Sequence, residues 1–453
     1  MSEIAASVKH ATLSHALAER SCALAYEEIP HDVLEIARQC LLDWFGVTLA
    51  GSAEDGPRML LTVLAPGRGD RSGAATVVGQ DARLAPVQAA LVNGTASHVL
   101  DFDDVNLALL GHLSVAVLPA ALALAEELDA SASELLTAFL AGYETACRVA
   151  LALGPEPYLR GYHATGTIGT FGAAAACARL LRLDAMRTAI ATGIAASEAA
   201  GLKCNFGTMT KSLHAGKASH NGLLAALLAA RGFTASASAI EDEQGFAAIA
   251  GATCDLEAAL AAPPSGWRAR ENVFKFHASC FFTHSTIEGL RDLLRGGLLP
   301  VEEIEQIVVH VSELELGTCV VSEPRTGLEV KFSLPHLAAM TLLGRATSAI
   351  GDEDADDEQV IGLRSRVALL EDGVAGAPTR VEVKLRGGET LSACHDVNTP
   401  ARDLADQRRR LAEKFVPLAE TRLDPSTTQR LLETLTALGA DHSVRALMAC
   451  VRS

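Results

Sequence analysis

The sequence predicts a mainly α protein, with a large all-helical domain built from both chain ends and a smaller α+β domain inserted between them. Three observations carry this. Apolar residues recur at intervals of three and four through much of Pro30–Arg231 and again beyond Pro400. Between those regions, 304–316 and 379–388 alternate apolar and polar residues, as half-buried strands do. Alanine is abundant and aromatics make up only 4% of the chain, so small side chains let helices approach closely.

At 453 residues the chain exceeds one ordinary core. Its character changes near Pro263-Pro264-Ser265-Gly266, which divides it into 1–265 with 400–453 (helical) and 266–399 (α+β). In order, 30–50 reads as a helix: Val33, Ile36, Ala37, Cys40, Leu41, Trp44 and Phe45 form one stripe, and Gly51 stops it. Residues 65–84 read as a Gly- and Arg-rich loop with a short strand at AATVVG. Helices follow at 85–100, 116–128, 133–153, 166–181, 184–200 and 219–231. In the inserted domain, 336–343 and 358–363 read as helices, and the acidic run 351–358 as a solvated loop. The last helices are expected at 404–415 and 427–450. No fixed-period repeat occurs, which disfavours a solenoid.

A net charge of −17 argues against a nucleic-acid partner, which would demand a basic face. The ten cysteines form no CxxC pair and suit reduced thiols in a cytoplasm. The N-terminal stretch is amphipathic and lacks a signal-peptide core. No charge-free apolar run reaches about 18 residues, so no membrane association is expected.

Four stretches carry candidate chemistry. The first gathers Lys203, Lys211, His214, Lys217 and His220 at one loop–helix junction. In so acidic a chain, a basic cluster beside free helix N–H groups suits a carboxylate or phosphate, although a solvated turn has the same composition. The second is SHVLDFDDVNLALLGHLS, 97–114. Its carboxylates (Asp101, Asp103, Asp104) with His98 and His112 resemble hard-cation ligands but lack the glycine and terminal glutamate of a calcium loop. Acid–base chemistry fits better, since His titrates near neutrality and a carboxylate orients it. The third places His163 before a Gly/Thr-rich helix start, with Gly166 and Thr167 in its first turn. The spacing of Gly166, Gly169 and Gly172 is wrong for a dinucleotide fingerprint and suits close helix packing. The fourth holds Lys275, His277, Cys280 and His284. It lacks the remaining ligands of a zinc site; Cys280 is either a nucleophile or a buried inert thiol.

Taken together and in order, these stretches resemble the MmgE/PrpD family. The matching segments are ARQCLLDWFGVTLAG (37–51), QAALVNGTASHVLDFDD (88–104), GYETACRVA (142–150) and HATGTIGTFGAAAA from His163. Further on, TKSLHAGKASHNGLLAALLAARGF from Thr210, SCFFTH (279–284) and KFSLPH (331–336) continue the match. The resemblance implies a helical domain carrying an α+β lid and a homodimer. It also implies a small di- or tricarboxylate substrate, and neither a metal nor an organic cofactor. Family members include 2-methylcitrate dehydratases, cis-aconitate decarboxylases and iminodisuccinate epimerase, which act next to a carboxylate. By the same resemblance, Asp101, His112, His163 and Lys211 are catalytic. This chain departs from the pattern at Val105, Leu113, Cys280 and His336, which weakens decarboxylation and dehydration and leaves epimerisation in the lead.

On that reading Lys211 or His163 is the base, and Asp101 orients His112. His112, Lys275 and the N–H groups near Gly166 and Thr167 bind carboxylates, with His214, Cys280 and His336 also at the substrate. Tyr162 or His336 returns the proton from the opposite face. A hydro-lyase, a decarboxylase and a catalytically silent carboxylate-binding protein are the alternatives.

Overall fold

The computed structural model describes residues 12–452 apart from 66–73, 110, 298, 320 and 375–376. The reading of 1–11 and part of the 65–84 loop therefore lie outside the described residues. The helical part is built on α1 (His31–Gly51), α2 (Pro86–His98), α3 (Ser114–Leu128), α4 (Ala132–Leu153), α5 (Ala164–Leu180), α6 (Ala185–Glu198) and α7 (Met209–Ala230). Local chemistry starts several of them. Ser131 and Glu134 form a capping box on α4, and the Asp184 and Thr208 side chains cap α6 and α7.

Small residues set the spacing between these helices. A Cβ on Gly94 of α2 would lie 2.7 Å from the Cα of Gly216 on α7, so the two backbones touch. On α5, Cβ atoms at Gly169 and Gly172 would collide with Ala116 and with Val117 and Ala146. That is the close packing expected of these glycines. By length and hydropathy α4 is the one helix among the described residues able to cross a membrane, and 89% of its apolar 18-residue stretch is buried inside the protein.

The α+β part contains α8 (His284–Leu293), β1 (Ile304–Val311), α9 (Leu334–Leu342), β2 (Val367–Glu371), β3 (Thr379–Leu385) and β4 (Thr390–His395). The strands lie in the order β2-β1-β3-β4, with β1 and β2 parallel and the other pairs antiparallel. Alternate residues Ile307, Val309 and Val311 with Val381 and Val383 are fully buried against Ile287 and Leu290 of α8 and Leu337 of α9. The period-two pattern thus marks a sheet covered by helices on one face. After it, α10 (Leu404–Ala419) and α11 (Pro425–Thr436) return to the first core through Leu411, Phe415, Leu431 and Leu435.

Some element boundaries differ from expectation. Helix α7 begins ten residues before 219, so Lys211, His214 and Lys217 are helical and not on a loop, while His220 is helical as expected. Its polar face packs on other helices, which periodicity cannot register. The strand in 304–316 ends at Val311, where Ser312 and Glu315 form a capping box and open a helical turn. Residues 352–355 make a helical turn within the acidic run, and the expected 427–450 helix is broken between Thr436 and Val444.

Candidate active site

The loop after α2 carries Asp101, Asp103 and Asp104, all buried. Asp101 has φ +53°, a left-handed conformation that a non-glycine residue holds only under tertiary constraint. The constraint is visible. Lys275 Nζ is 2.7 Å from Asp101 Oδ1, and it also donates to the carbonyls of Asp101 (3.0 Å) and Ser279 (2.9 Å). Lys211, in the first turn of α7, sits 2.8 Å from Oδ2 in an ion pair without hydrogen-bond alignment. Burial opposes the Asp101 charge, but the two lysines outweigh it and hold the carboxyl well below its usual range.

Asp103 orients two imidazoles. His98 Nδ1 lies 3.0 Å from its Oδ1 and His112 Nδ1 2.8 Å from its Oδ2. His112 Nδ1 also lies 3.0 Å from the Asp104 carbonyl oxygen, so the ring is held by Asp103 and this carbonyl, and not by Asp101 as expected; its Nε2 is 4.0 Å from Asp101 Oδ1. Burial opposes the Asp103 charge, yet His98 and His112 keep the carboxyl low, while burial drives His98 down to about 4. Asp104 is the contrary case. It accepts from Ser114 Oγ at 2.6 Å, but burial and the neighbouring Asp43 push it up to about 7.

His163 stands at the residue before α5 without a side-chain cap, and its Nδ1 meets His214 Nδ1 at 3.1 Å, so one ring donates and the other accepts. Burial, then the charges of His98 and Lys211, keeps His163 well below its ordinary range, and burial lowers His214 to about 4. His214 thus backs His163 and does not border the cavity in front of it.

That cavity lies at the seam between the two parts. Asp101, His112, Tyr158, His163 and Lys211 line it from the helical side; Cys280, Phe281, Phe282, Thr318 and Phe332 line it from the α+β side. The Cys280 thiol is lowered by its hydrogen bond with Cys319; burial opposes this, and Lys275 and Lys211 assist it. Two further lysines bolt the seam. Lys331 donates to the carbonyl of Leu100 (2.9 Å), and burial brings it down to about 8. Lys414 of α10 donates to Asp43 Oδ1 (2.6 Å) and to the carbonyls of Phe102 (2.6 Å) and Lys275 (2.9 Å).

Besides His214, five expected site residues stand elsewhere or are otherwise engaged. Tyr162 borders a neighbouring apolar cavity. His336 is fully buried in the α+β core, with Nε2 2.8 Å from the Asp354 carbonyl oxygen and Nδ1 3.3 Å from Arg364. The N–H groups of Gly166 and Thr167 already bond the His163 carbonyl, so they are not free for an anion. Lys275 is spent on Asp101 and two carbonyls and does not line the cavity. Reading by sequence missed Tyr158, Thr318, Phe206 and Phe332, which border the cavity, and the roles of Asp103 and Lys414. Asp103 stood within the DFDD segment and Phe332 within KFSLPH; the others carry no local signal.

The donor atoms of His98, Asp101, Asp103 and His112 lie within 4.8 Å of one another, a spacing that can hold a metal ion. The donor set fits one poorly. The Asp101 oxygens face two ammonium groups and those of Asp103 face two ring nitrogens, so a cation would have to displace them.

Imidazoles, carboxylates and ammonium groups packed around one interdomain cavity form an acid–base site of the kind used on small charged molecules. The chain belongs to the MmgE/PrpD family: its N-terminal domain matches over residues 15–258 and its C-terminal domain over 277–440. Within the second span, Leu411, Phe415, Leu431 and Leu435 pack in the helical core. Relatives include the cis-aconitate decarboxylase-like protein oryM of Aspergillus oryzae, 27% identical over 94% of both chains. The cis-aconitate decarboxylase of Homo sapiens is 32% identical over 65% of this chain and 63% of its own. That of Aspergillus terreus is 25% identical over 92% of this chain and 91% of its own.

Proposed function

We propose that this protein abstracts the proton next to a carboxylate of a small di- or tricarboxylate, and that it is an epimerase. The observation that carries the reading is that ionisable side chains from both the helical and the α+β part line one cavity. On the helical wall, Asp103 holds Nδ1 of His112 and leaves Nε2 as the base, with His163 beside it. The substrate C–H bond breaks toward an imidazole, and its electron pair moves into the adjoining carboxylate. Lys211, paired with Asp101 as an ammonium, stabilises that charge. Lys211 is thus a cation for the substrate and not the base. On the α+β wall Cys280 is the ionisable group, and its S–H returns a proton to the other face, inverting the carbon.

A decarboxylase is the second reading, favoured by the relatives' names. There the C–C bond to a carboxylate breaks, CO2 leaves, and the same acids protonate the carbanion.

Proton NMR in D2O with citrate, 2-methylcitrate, cis-aconitate and imino- and amino-dicarboxylates separates these. Deuterium entering beside a carboxylate with the skeleton unchanged supports epimerisation; loss of a carboxylate supports decarboxylation; new alkene signals would make it a dehydratase. Lys211→Ala and His163→Ala each abolish turnover with the fold intact, and full activity in both would overturn the assignment.

A further inference from the structure

The charged cavity is small, about 30 Å³, room for one or two waters. A second cavity of about 400 Å³ adjoins it, within the roughly 300–1,000 Å³ usual for small-molecule sites. Three chain segments run from one to the other. Val105 borders the charged cavity and Leu107–Leu109 the larger one; His163 borders the first, and Ala164 and Ile168 the second; Thr318 borders the first, and Leu314 the second. Tyr158 borders both, with its hydroxyl 3.4 Å from Thr318 Oγ1 and Lys203 Nζ 3.8 Å from its ring centroid. The phenol thus stands where the two cavities meet, one lined by Lys211 and the imidazoles and the other by Ala, Leu, Ile and Pro. Among the described residues no carboxylate, lysine or arginine lines the larger cavity, which leaves the acid groups to the charged one.

We infer that the apolar cavity is a subsite of the same catalytic centre and takes an alkyl or aryl substituent of the substrate. The substrate is then an alkyl- or aryl-substituted carboxylic acid whose acid groups lie against Lys211. This rests on the acid–base reading above.

The test titrates the full-length protein with 2-alkylsuccinates from methyl to hexyl. Calorimetry gives affinity, and NMR in D2O gives exchange at the carbon beside the carboxylate. Affinity rises about fourfold per methylene until the cavity is filled. Ala108→Trp, which puts a large ring into the cavity from a half-exposed loop position, flattens that gradient; Leu109→Ala moves the optimum to longer chains. A flat gradient in the wild-type protein overturns the subsite, even where succinates exchange deuterium. A gradient unchanged in both variants also overturns it, because the chain then lies elsewhere. A gradient that both variants alter, without exchange, supports the subsite and counts against the proposed reaction alone. Ala108→Trp turning a dimer into monomers in sedimentation, with no gradient in the wild type, assigns the cavity to a second copy of the chain and overturns the proposal.

Discussion

Replacing Lys414 with Met removes an ammonium from the base of the acidic loop and strips three acceptors of their donor: Asp43 Oδ1 and the carbonyls of Phe102 and Lys275. Breaking a buried pair by deleting one partner costs about 3–5 kcal/mol. Burial already raises Asp43 above its ordinary range with Lys414 present, and without it the carboxyl rises further. A raised carboxyl means that the folded state binds more protons than the unfolded one. Stability therefore falls as pH rises from the unfolded value toward the folded one. The deficit of Lys414→Met grows with pH by up to about 1.4 kcal/mol per unit and shrinks toward acid. An unfolding entropy of about 2.1 cal/mol/K per residue gives about 1 kcal/mol/K for 453 residues, so the expected loss is about 3–5 °C in Tm near neutrality. Scanning fluorimetry of both proteins at mildly acidic, neutral and mildly alkaline pH measures it. Turnover falls as well, since Phe102 adjoins Asp101 and Lys275 holds it. A variant that melts within a degree of the wild type at neutral pH, or whose deficit ignores pH, would refute the reasoning.

Asp104→Asn relieves a carboxylate that burial and Asp43 push up to about 7. Wild-type stability falls as pH climbs to that value, so the variant should gain Tm over wild type at pH 8 and little of it at pH 5; equal melting curves at pH 8 would count against it. Gly216→Ala puts a Cβ into Leu91 O and Thr95 Oγ1 and should cost about 1–3 kcal/mol by forcing α2 from α7, read as a lower Tm with reduced turnover. Asp103→Asn frees His98 to change tautomer and takes the carboxylate from His112, whose Nδ1 keeps the Asp104 carbonyl, and turnover should drop by about 10²–10⁴, with the Tm loss separating this from unfolding.

Helices α1 to α6 and strands β1 and β3 were legible in the apolar pattern of the sequence, although α3 and α5 are buried on every side over most of their length. The first turns of α7 were not. Lys211 and His214 are polar yet buried, because they face other polar groups on a packed helix, and a reader of periodicity takes them for a loop. Part of the candidate site was legible through its motifs, in that Asp101, His112, His163, Lys211 and Cys280 all border one cavity. Tyr162 was misread for Tyr158 because nothing local says which of two nearby tyrosines turns toward the catalytic groups. His336 looked available because a histidine beside a motif carries no mark of burial; the Asp354 carbonyl and Arg364 that occupy it come from later in the chain.

By itself the sequence determined the helical body formed by both chain ends, the inserted α+β part, and the family. Composition, periodicity and motif order are properties of the chain as written. Only the tertiary structure decided which charge meets which. Asp101 takes Lys211 and Lys275, Asp103 takes His98 and His112, and Lys414 closes the loop from more than 300 positions away. Buried charges select partners by distance in space, since at low dielectric a few ångströms set both the energy and the protonation state, and no local pattern encodes that distance.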